Sequence, residues 1–183
     1  MKMLRNFTIR FVMLTILGIF CVMWAGVGLY STWSLSRVSD GNDVDRQLVR
    51  QMTVLSQGND QYFRFVTRLS RAMEVKAAGG TPDLAPAQQA LDNMSKKLAE
   101  MKAISPGPMD EKVSAQVIST WQALLDRGVT PQMAQAKQAT LEGYRQHANN
   151  VTPPLSRAFG SAAENFNNTA AKALDSTRVV VDG

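Results

Sequence analysis

Residues 45–76 have the sequence DRQLVRQMTVLSQGNDQYFRFVTRLSRAMEVK, and this stretch decides the fold predicted for the chain. Its apolar side chains recur at alternating steps of four and three, the spacing of a helix that packs against neighbouring helices along one side. No proline interrupts the stretch, so we expect one long helix that ends near Lys76. The stripe consists of Leu48, Met52, Leu55, Asn59, Tyr62, Val66, Leu69 and Met73, with Asn59 as its polar member.

Three arginines lie on the side of this helix opposite to the stripe. Arg64, Arg68 and Arg71 are spaced i, i+4, i+7, and a helical step of about 100° per residue places them roughly 200° from the stripe. We expect no nearby acid to neutralise them. Guanidinium groups match carboxylates in two-pronged geometry, so the cluster predicts a site for a small anion. A solvated basic surface without a ligand is the alternative.

Residues 11–36, FVMLTILGIFCVMWAGVGLYSTWSLS, precede this helix and carry no charged side chain. A bilayer core of about 30 Å requires about 20 mostly apolar residues in a helix, so we predict a single transmembrane helix here. Residues 1–10 contain basic residues and no acid, which predicts a cytoplasmic N-terminus in the bacterial inner membrane and a periplasmic location for residues 37–183. A cleaved signal peptide is the alternative, but its apolar core of about 7–15 residues is shorter than this stretch.

Three further helices are predicted after the first one. Small residues, glycines and a proline end the first helix in residues 77–82. The later helices are expected over about residues 83–104, from about 109 to 137 with a break or kink at 127–131, and from about 155 onward. The predicted fold is therefore all-α, an N-terminal transmembrane helix continuous with an antiparallel up-down four-helix bundle that forms one periplasmic ligand-binding domain.

The composition argues against an enzyme and against a nucleic-acid-binding protein. Three of the 20 basic residues lie in residues 1–36, which leaves 17 basic and 15 acidic residues in the rest of the chain. Cys21 and His147 are the only residues of their types, so a zinc site of ordinary composition is excluded, as is a catalytic relay that does not use His147. We expect no metal, no cofactor and no nucleic-acid partner.

Thr152 is a fourth candidate ligand-binding residue. It precedes Pro153-Pro154 near the start of the last helix. Its hydroxyl or backbone carbonyl could accept a hydrogen bond from a ligand's ammonium group, whereas its structural alternative is to cap that helix. Trp121 and Phe159 are predicted core residues, and His147 is predicted to lie on the surface.

Three short motifs of the chain are Arg68-Leu69-Ser70-Arg71, Thr130-Pro131-Gln132-Met133 and Val151-Thr152-Pro153-Pro154-Leu155. Through these motifs and the order of its parts, the chain resembles the front half of bacterial transmembrane chemoreceptors, the methyl-accepting chemotaxis proteins of the aspartate/serine receptor type. The resemblance implies a homodimer that holds its ligand between the two first helices near the membrane-distal end, with arginines of both subunits on its carboxylates. Arg71 matches the family's arginine best, whereas Val75 stands where the aspartate receptor has a third arginine.

The sequence thus predicts the sensory portion of a chemoreceptor that binds an organic acid or amino acid through Arg64, Arg68, Arg71 and Thr152. Binding is expected to displace the first and last helices relative to each other. The expected partners are membrane lipid, a second copy of the chain through the first helix, and a kinase/adaptor complex reached through a cytoplasmic region beyond residue 183. Two alternatives stay open: the same sensor feeding a histidine kinase or a cyclase, and a membrane-anchored scaffold bundle without a ligand.

Overall fold

A computed structural model of the chain describes residues 43–138 and 140–181, so the predicted transmembrane helix at residues 11–36 lies outside the described residues. Every regular element of the described part is helical. Within that part, no helix is both long and apolar enough to span a bilayer. The helical segments are α1 (residues 43–77), α2 (Ala85–Ile104), α3 (Glu111–Ala123), a first π-helical segment (Leu124–Val129), α4 (Thr130–Ala136), α5 (Glu142–Gln146), a second π-helical segment (His147–Val151) and α6 (Thr152–Val181).

These segments form four helical runs in the described part of the chain. The first two runs are α1 and α2, the third joins α3 to α4 through the first π-helical segment, and the fourth joins α5 to α6 through the second. α1 and α2 are antiparallel, because Arg50 pairs with Glu100 while Arg68 bonds to the carbonyl of Pro86. The third and fourth runs meet at Trp121 and Phe159, whose ring centroids are 5.3 Å apart. The predicted all-α helical bundle is confirmed for this part.

The buried side of α1 is turned relative to the predicted stripe. Four members of that stripe are buried, whereas Met52, Asn59, Tyr62 and Val66 are only half-buried. A Cβ at Gly58 would lie 2.1 Å from the Trp121 ring, so the missing side chain lets that ring approach the backbone of α1. The positions that are buried although they lie outside the predicted stripe are Gln51, Val54, Gly58, Phe65 and Ala72.

Gln51 is a polar residue that is fully buried because the connection between α2 and α3 needs its donors. Its Nε2 donates to the carbonyl of Ile104 at 2.8 Å and to that of Pro106 at 2.9 Å. Buried polar groups are tolerated where such bonds replace their contacts with water. These hydrogen bonds therefore hold the N-terminal part of α1 against the α2–α3 connection.

A break or kink was predicted at residues 127–131, and the break is wrong, because the chain stays helical through this region. The first π-helical segment covers Leu124–Val129, and the backbone N–H of Thr130 donates to the carbonyl of Leu125. Thr130 has helical angles, with φ −64° and ψ −48°, and does not cap a new helix. Gly128 and Pro131 therefore lie within one continuous helical run, with Gly128 in its π-helical segment.

Candidate functional site

The candidate site is a depression of about 330 Å³ on the outer side of α1. α1 buries the opposite side against the other helices through large apolar residues such as Leu69 and Phe65, which are both 0% exposed. The helical period therefore leaves the outer positions in solvent. The lining residues are Phe63, Arg64, Thr67, Arg68 and Arg71, so all three predicted arginines come together here. We call this surface the arginine face.

Arg64 has an acidic partner on the same helix. Its Nε donates to Asp60 Oδ2 at 2.7 Å, and both side chains are about half exposed. The expectation that no acid neutralises the arginines is therefore wrong for Arg64, because Asp60 lies one helical turn earlier. An exposed pair of this kind is worth at most about 1 kcal/mol, so an incoming anion can compete for the guanidinium.

The other two arginines have no acidic partner within residues 43–138 and 140–176. Arg68 Nη1 donates to the carbonyl of Pro86 at 3.0 Å, which ties the arginine face to the start of α2. Arg71 makes no hydrogen bond or ion pair with any of those residues. Its guanidinium group keeps its N–H donors available, and a planar fork of donors suits a carboxylate. Of the three arginines, Arg71 is therefore the one whose guanidinium group has no protein partner within those residues.

Phe63 and Thr67 also line the depression, and neither was predicted to be a site residue. Phe63 is 59% exposed, and its ring centroid lies 5.5 Å from that of Tyr62 at an angle of 57°. The signal that could have identified both residues is spacing, since Phe63, Thr67 and Arg71 follow one another at steps of four. The arginine face therefore combines cations with an aromatic ring and a hydroxyl.

Thr152 does not line the depression. It is 3% exposed, and its Oγ1 donates to Gln132 Oε1 at 2.7 Å. The neighbouring contact joins the two π-helical segments, since His147 Nε2 lies 2.9 Å from the carbonyl oxygen of Gly128. His147 was predicted to lie on the surface and is instead half-buried. Thr152 thus belongs to the contact between the third and fourth runs, whereas the arginines form a separate surface.

Comparisons with known proteins relate the chain to a family of sensor domains. The family model described as Tar ligand binding domain homologue matches residues 3–174. The fold is similar to the crystal structure of the N-terminal ligand-binding domain of a candidate methyl-accepting chemotaxis protein from Salmonella enterica. The TM-score is 0.72 and the identity 65%, over 73% of this chain and 98% of that chain. No curated protein sequence matches the chain. The family match includes all of α1 and so the whole arginine face.

Proposed function

The chain belongs to the Tar ligand-binding domain family of chemoreceptor sensors, and we propose that it binds a small anionic solute, an organic acid or an amino acid, on the arginine face. Membership of this family confirms the predicted chemoreceptor sensor and its non-enzymatic character. The observation that carries the ligand proposal is the convergence of Arg64, Arg68 and Arg71 on one depression.

The charges of the arginine face favour an anion. Three guanidinium groups surround the depression, whereas Asp60 is the single carboxylate bonded to any of them in the described part. Like charges placed one turn apart repel by a few tenths of a kcal/mol, and a bound carboxylate would relieve this repulsion. The volume of about 330 Å³ lies at the low end of small-molecule sites, which suits a ligand of a few carbon atoms.

We further propose that a second copy of the chain covers the arginine face through its own α1. The support is the distribution of exposed large apolar side chains, because a helical step of about 100° places Val49, Phe63 and Val75 of α1 on the outer side with the arginines. Apolar surface exposed along one helix favours an interface. The large exposed apolar residues are Val44, Val49, Phe63 and Val75 on α1 and Val151 on the fourth run.

Thr152 enters this proposal as an acceptor. Its single hydroxyl proton is donated to Gln132 Oε1, so the oxygen can only accept from a ligand. An ammonium group is a donor without acceptor capacity, which makes Thr152 useful to an amino acid and of little use to an organic acid. Access would require movement, because Thr152 is 3% exposed. An amino acid would therefore use Thr152 for its ammonium group, whereas an organic acid would bind to the arginines without it.

Signalling would follow from a shift of α1 against the fourth run. The arginines lie on α1, whereas Thr152 begins α6, so a ligand bound to both would favour one arrangement of the two helices. A ligand can shift such a balance only by its differential affinity for the two arrangements. The proposed setting is the bacterial inner membrane, with residues 1–10 in the cytoplasm, residues 37–183 in the periplasm, and a kinase/adaptor complex, histidine kinase or cyclase as output.

Calorimetry tests the ligand proposal. The 183-residue chain in detergent micelles is titrated with malate, aspartate and a wider panel of organic acids and amino acids. Replacing Arg71 by Ala should weaken the binding of an active acid about 10- to 100-fold, since hydrogen bonds to charged groups contribute about 1.5–3 kcal/mol. Arg46→Ala is the matched control, because Arg46 is an exposed arginine on α1 about 37 Å from Arg71 along the helix axis. If none of the acids gives a heat of binding, the result would instead support a scaffold bundle without a ligand.

Sedimentation tests the proposed dimer contact. Val49 is 51% exposed on α1 and Val151 is 41% exposed on the fourth run, so the two valines form a matched pair. An Asp in place of Val49 should shift the chain from dimer to monomer, because a charge would be buried in the contact. The same change at Val151 should leave the dimer intact. If only the Val151 variant sediments as a monomer, the dimer interface lies on the fourth run instead.

A further inference from the structure

We infer that the solute bound on the arginine face is an aryl carboxylate, such as phenylacetate, and that Phe63 is the residue that selects its ring. The inference rests on the proposed function, since it places the ligand's carboxylate on the same arginines. It comes from the lining of the depression, in which Phe63 and Thr67 stand beside Arg64, Arg68 and Arg71. The face therefore offers an apolar ring and cations to one molecule.

Phe63, Thr67 and Arg71 form a column along α1. Successive members are four residues apart, so the column extends about 12 Å from the first Cα to the last. Long side chains on a helix lean toward its N-terminus, which brings the Arg71 guanidinium back toward Thr67 and closer to the Phe63 ring. An aromatic ring, a hydroxyl and a guanidinium group thus follow one another within the length of a small aryl acid.

The Phe63 ring is open on the side that a ligand would use. Its exposure of 59% is the highest of the large apolar side chains in the described part. Tyr62 contacts it in a tilted geometry and leaves the remaining surface uncovered. A single exposed apolar side chain is ordinary on a protein surface. Its place in the same depression as three guanidinium groups is what points to a ligand with both a ring and a negative charge.

Thr67 and Arg71 supply the polar end of the column. Within residues 43–138 and 140–176, neither side chain makes a hydrogen bond to another residue. Arg71 can hold a carboxylate through two parallel N–H···O bonds, and the Thr67 hydroxyl can donate to the same group. A compact diacid would use these groups and leave Phe63 in water. An aryl carboxylate would use them and also stack its ring against Phe63.

Titration with three acids tests the inference on the 183-residue chain in detergent micelles. Phenylacetate and cyclohexylacetate share a carboxylate and differ in the aromaticity of the ring, whereas malate has two carboxylates and no ring. We expect phenylacetate to bind more tightly than cyclohexylacetate. Phe63→Ala should weaken phenylacetate binding about 3- to 10-fold, the range that corresponds to a stacked aromatic pair, and should leave malate within 2-fold. Val151→Ala, which changes an exposed apolar residue of the fourth run outside the depression and outside the proposed dimer contact, should alter neither.

The outcomes separate this inference from the proposed function. Binding of malate without binding of phenylacetate would overturn the aryl class and leave the anion site standing. Equal affinities for phenylacetate and cyclohexylacetate would also overturn it. An equal loss of malate and phenylacetate in Phe63→Ala would assign Phe63 to dimer packing and overturn its selective role. The absence of binding by all three acids would overturn the inference together with the anion site.

Discussion

The two sides of α1 place residues of the same type in opposite environments. Phe65 faces inward and is 0% exposed, whereas Phe63, two residues earlier, faces outward and is 59% exposed. The inner side is packed against other helices, and the outer side carries the arginines around an open depression. This difference indicates that the inner side stabilises the fold while the outer side is available to a ligand. Substitutions on α1 should therefore separate stability from binding.

The two phenylalanines give the largest expected contrast. Phe65→Ala should lower the free energy of unfolding by about 3–5 kcal/mol, because it removes a fully buried ring and leaves a cavity. Phe63→Ala should change that free energy by less than about 0.5 kcal/mol. Urea denaturation followed by circular dichroism measures both variants. A comparable loss in the two variants would show that Phe63 is also part of the folded core.

Glycines provide a second contrast, at the place where α1 touches the third run. Gly58→Ala should destabilise the fold by about 1–3 kcal/mol, because its Cβ would lie 2.1 Å from Trp121 and the ring would have to move. Gly160→Ala in α6 has nothing within 4 Å of its Cβ and should stabilise the helix by about 0.5–1 kcal/mol. Thermal unfolding of the two variants gives the comparison. A neutral Gly58→Ala would contradict the close approach of Trp121.

Thr152 tests whether the contact between the third and fourth runs depends on its hydrogen bond. Thr152→Val keeps the shape and removes the hydroxyl, which leaves the buried Gln132 Oε1 without its donor at a cost of about 1–3 kcal/mol. Thr152→Ser retains the hydroxyl and should recover most of that loss. Thr53→Val is the control, because the Thr53 hydroxyl bonds to the Val49 carbonyl on an exposed surface. If Thr152→Val unfolded at the same urea concentration as the unmodified chain, Thr152 would have no structural role.

The smallest expected effect concerns Glu100 on α2. A hydrogen bond from Lys97 lowers the pKa of the Glu100 carboxyl below its ordinary value of 4.5, with partial burial opposing the shift and the charges of Lys97 and Arg50 adding to it. Because the folded-state pKa is lowered, this contribution to stability is present above about pH 4.5 and is lost as the pH falls through the lowered pKa. The free energy of unfolding should therefore depend less steeply on pH in Glu100→Gln than in the unmodified chain, over a range of roughly pH 3 to pH 6. Glu74→Gln is the control, because Glu74 is exposed and has no ion pair in the described part. Its free energy of unfolding should depend on pH as in the unmodified chain.

Much of the bundle could be predicted from helical period and from helix-ending residues. The stretch around Gly79 ends α1 close to the expected residue, with Gly79 at φ +82°. In α2, the predicted helix over about residues 83–104, the apolar residues at steps of four and three are buried, from Ala87 to Met101. The shared face of the arginines also follows from period alone, since residues at i, i+4 and i+7 lie together on any α-helix.

The remaining features depend on contacts between residues far apart in the sequence. Gly58 has no side chain to contribute to a hydropathy pattern, and only Trp121 reveals why it is buried. Gln51 looks like a surface residue until the carbonyls of Ile104 and Pro106 supply its partners. The π-helical segments carry residues that are equally compatible with an α-helix, so local sequence could not distinguish the two. Phe63 is adjacent in the sequence to Tyr62 of the predicted stripe. The burial of Phe65 in the structure is what shows that Phe63 faces outward.

The proposed anion site depends above all on the binding of a carboxylate by Arg71 on the outer side of α1. Its most direct test is the Nε–H signal of Arg71 in a proton–nitrogen correlation spectrum, assigned by its loss in Arg71→Lys and followed during titration with the acid that gives heat. We predict a saturable shift of the Arg71 signal, with the Arg46 signal unchanged at the same ligand concentrations. An Arg71 signal that stays in place while the acid binds with the same affinity would contradict the account.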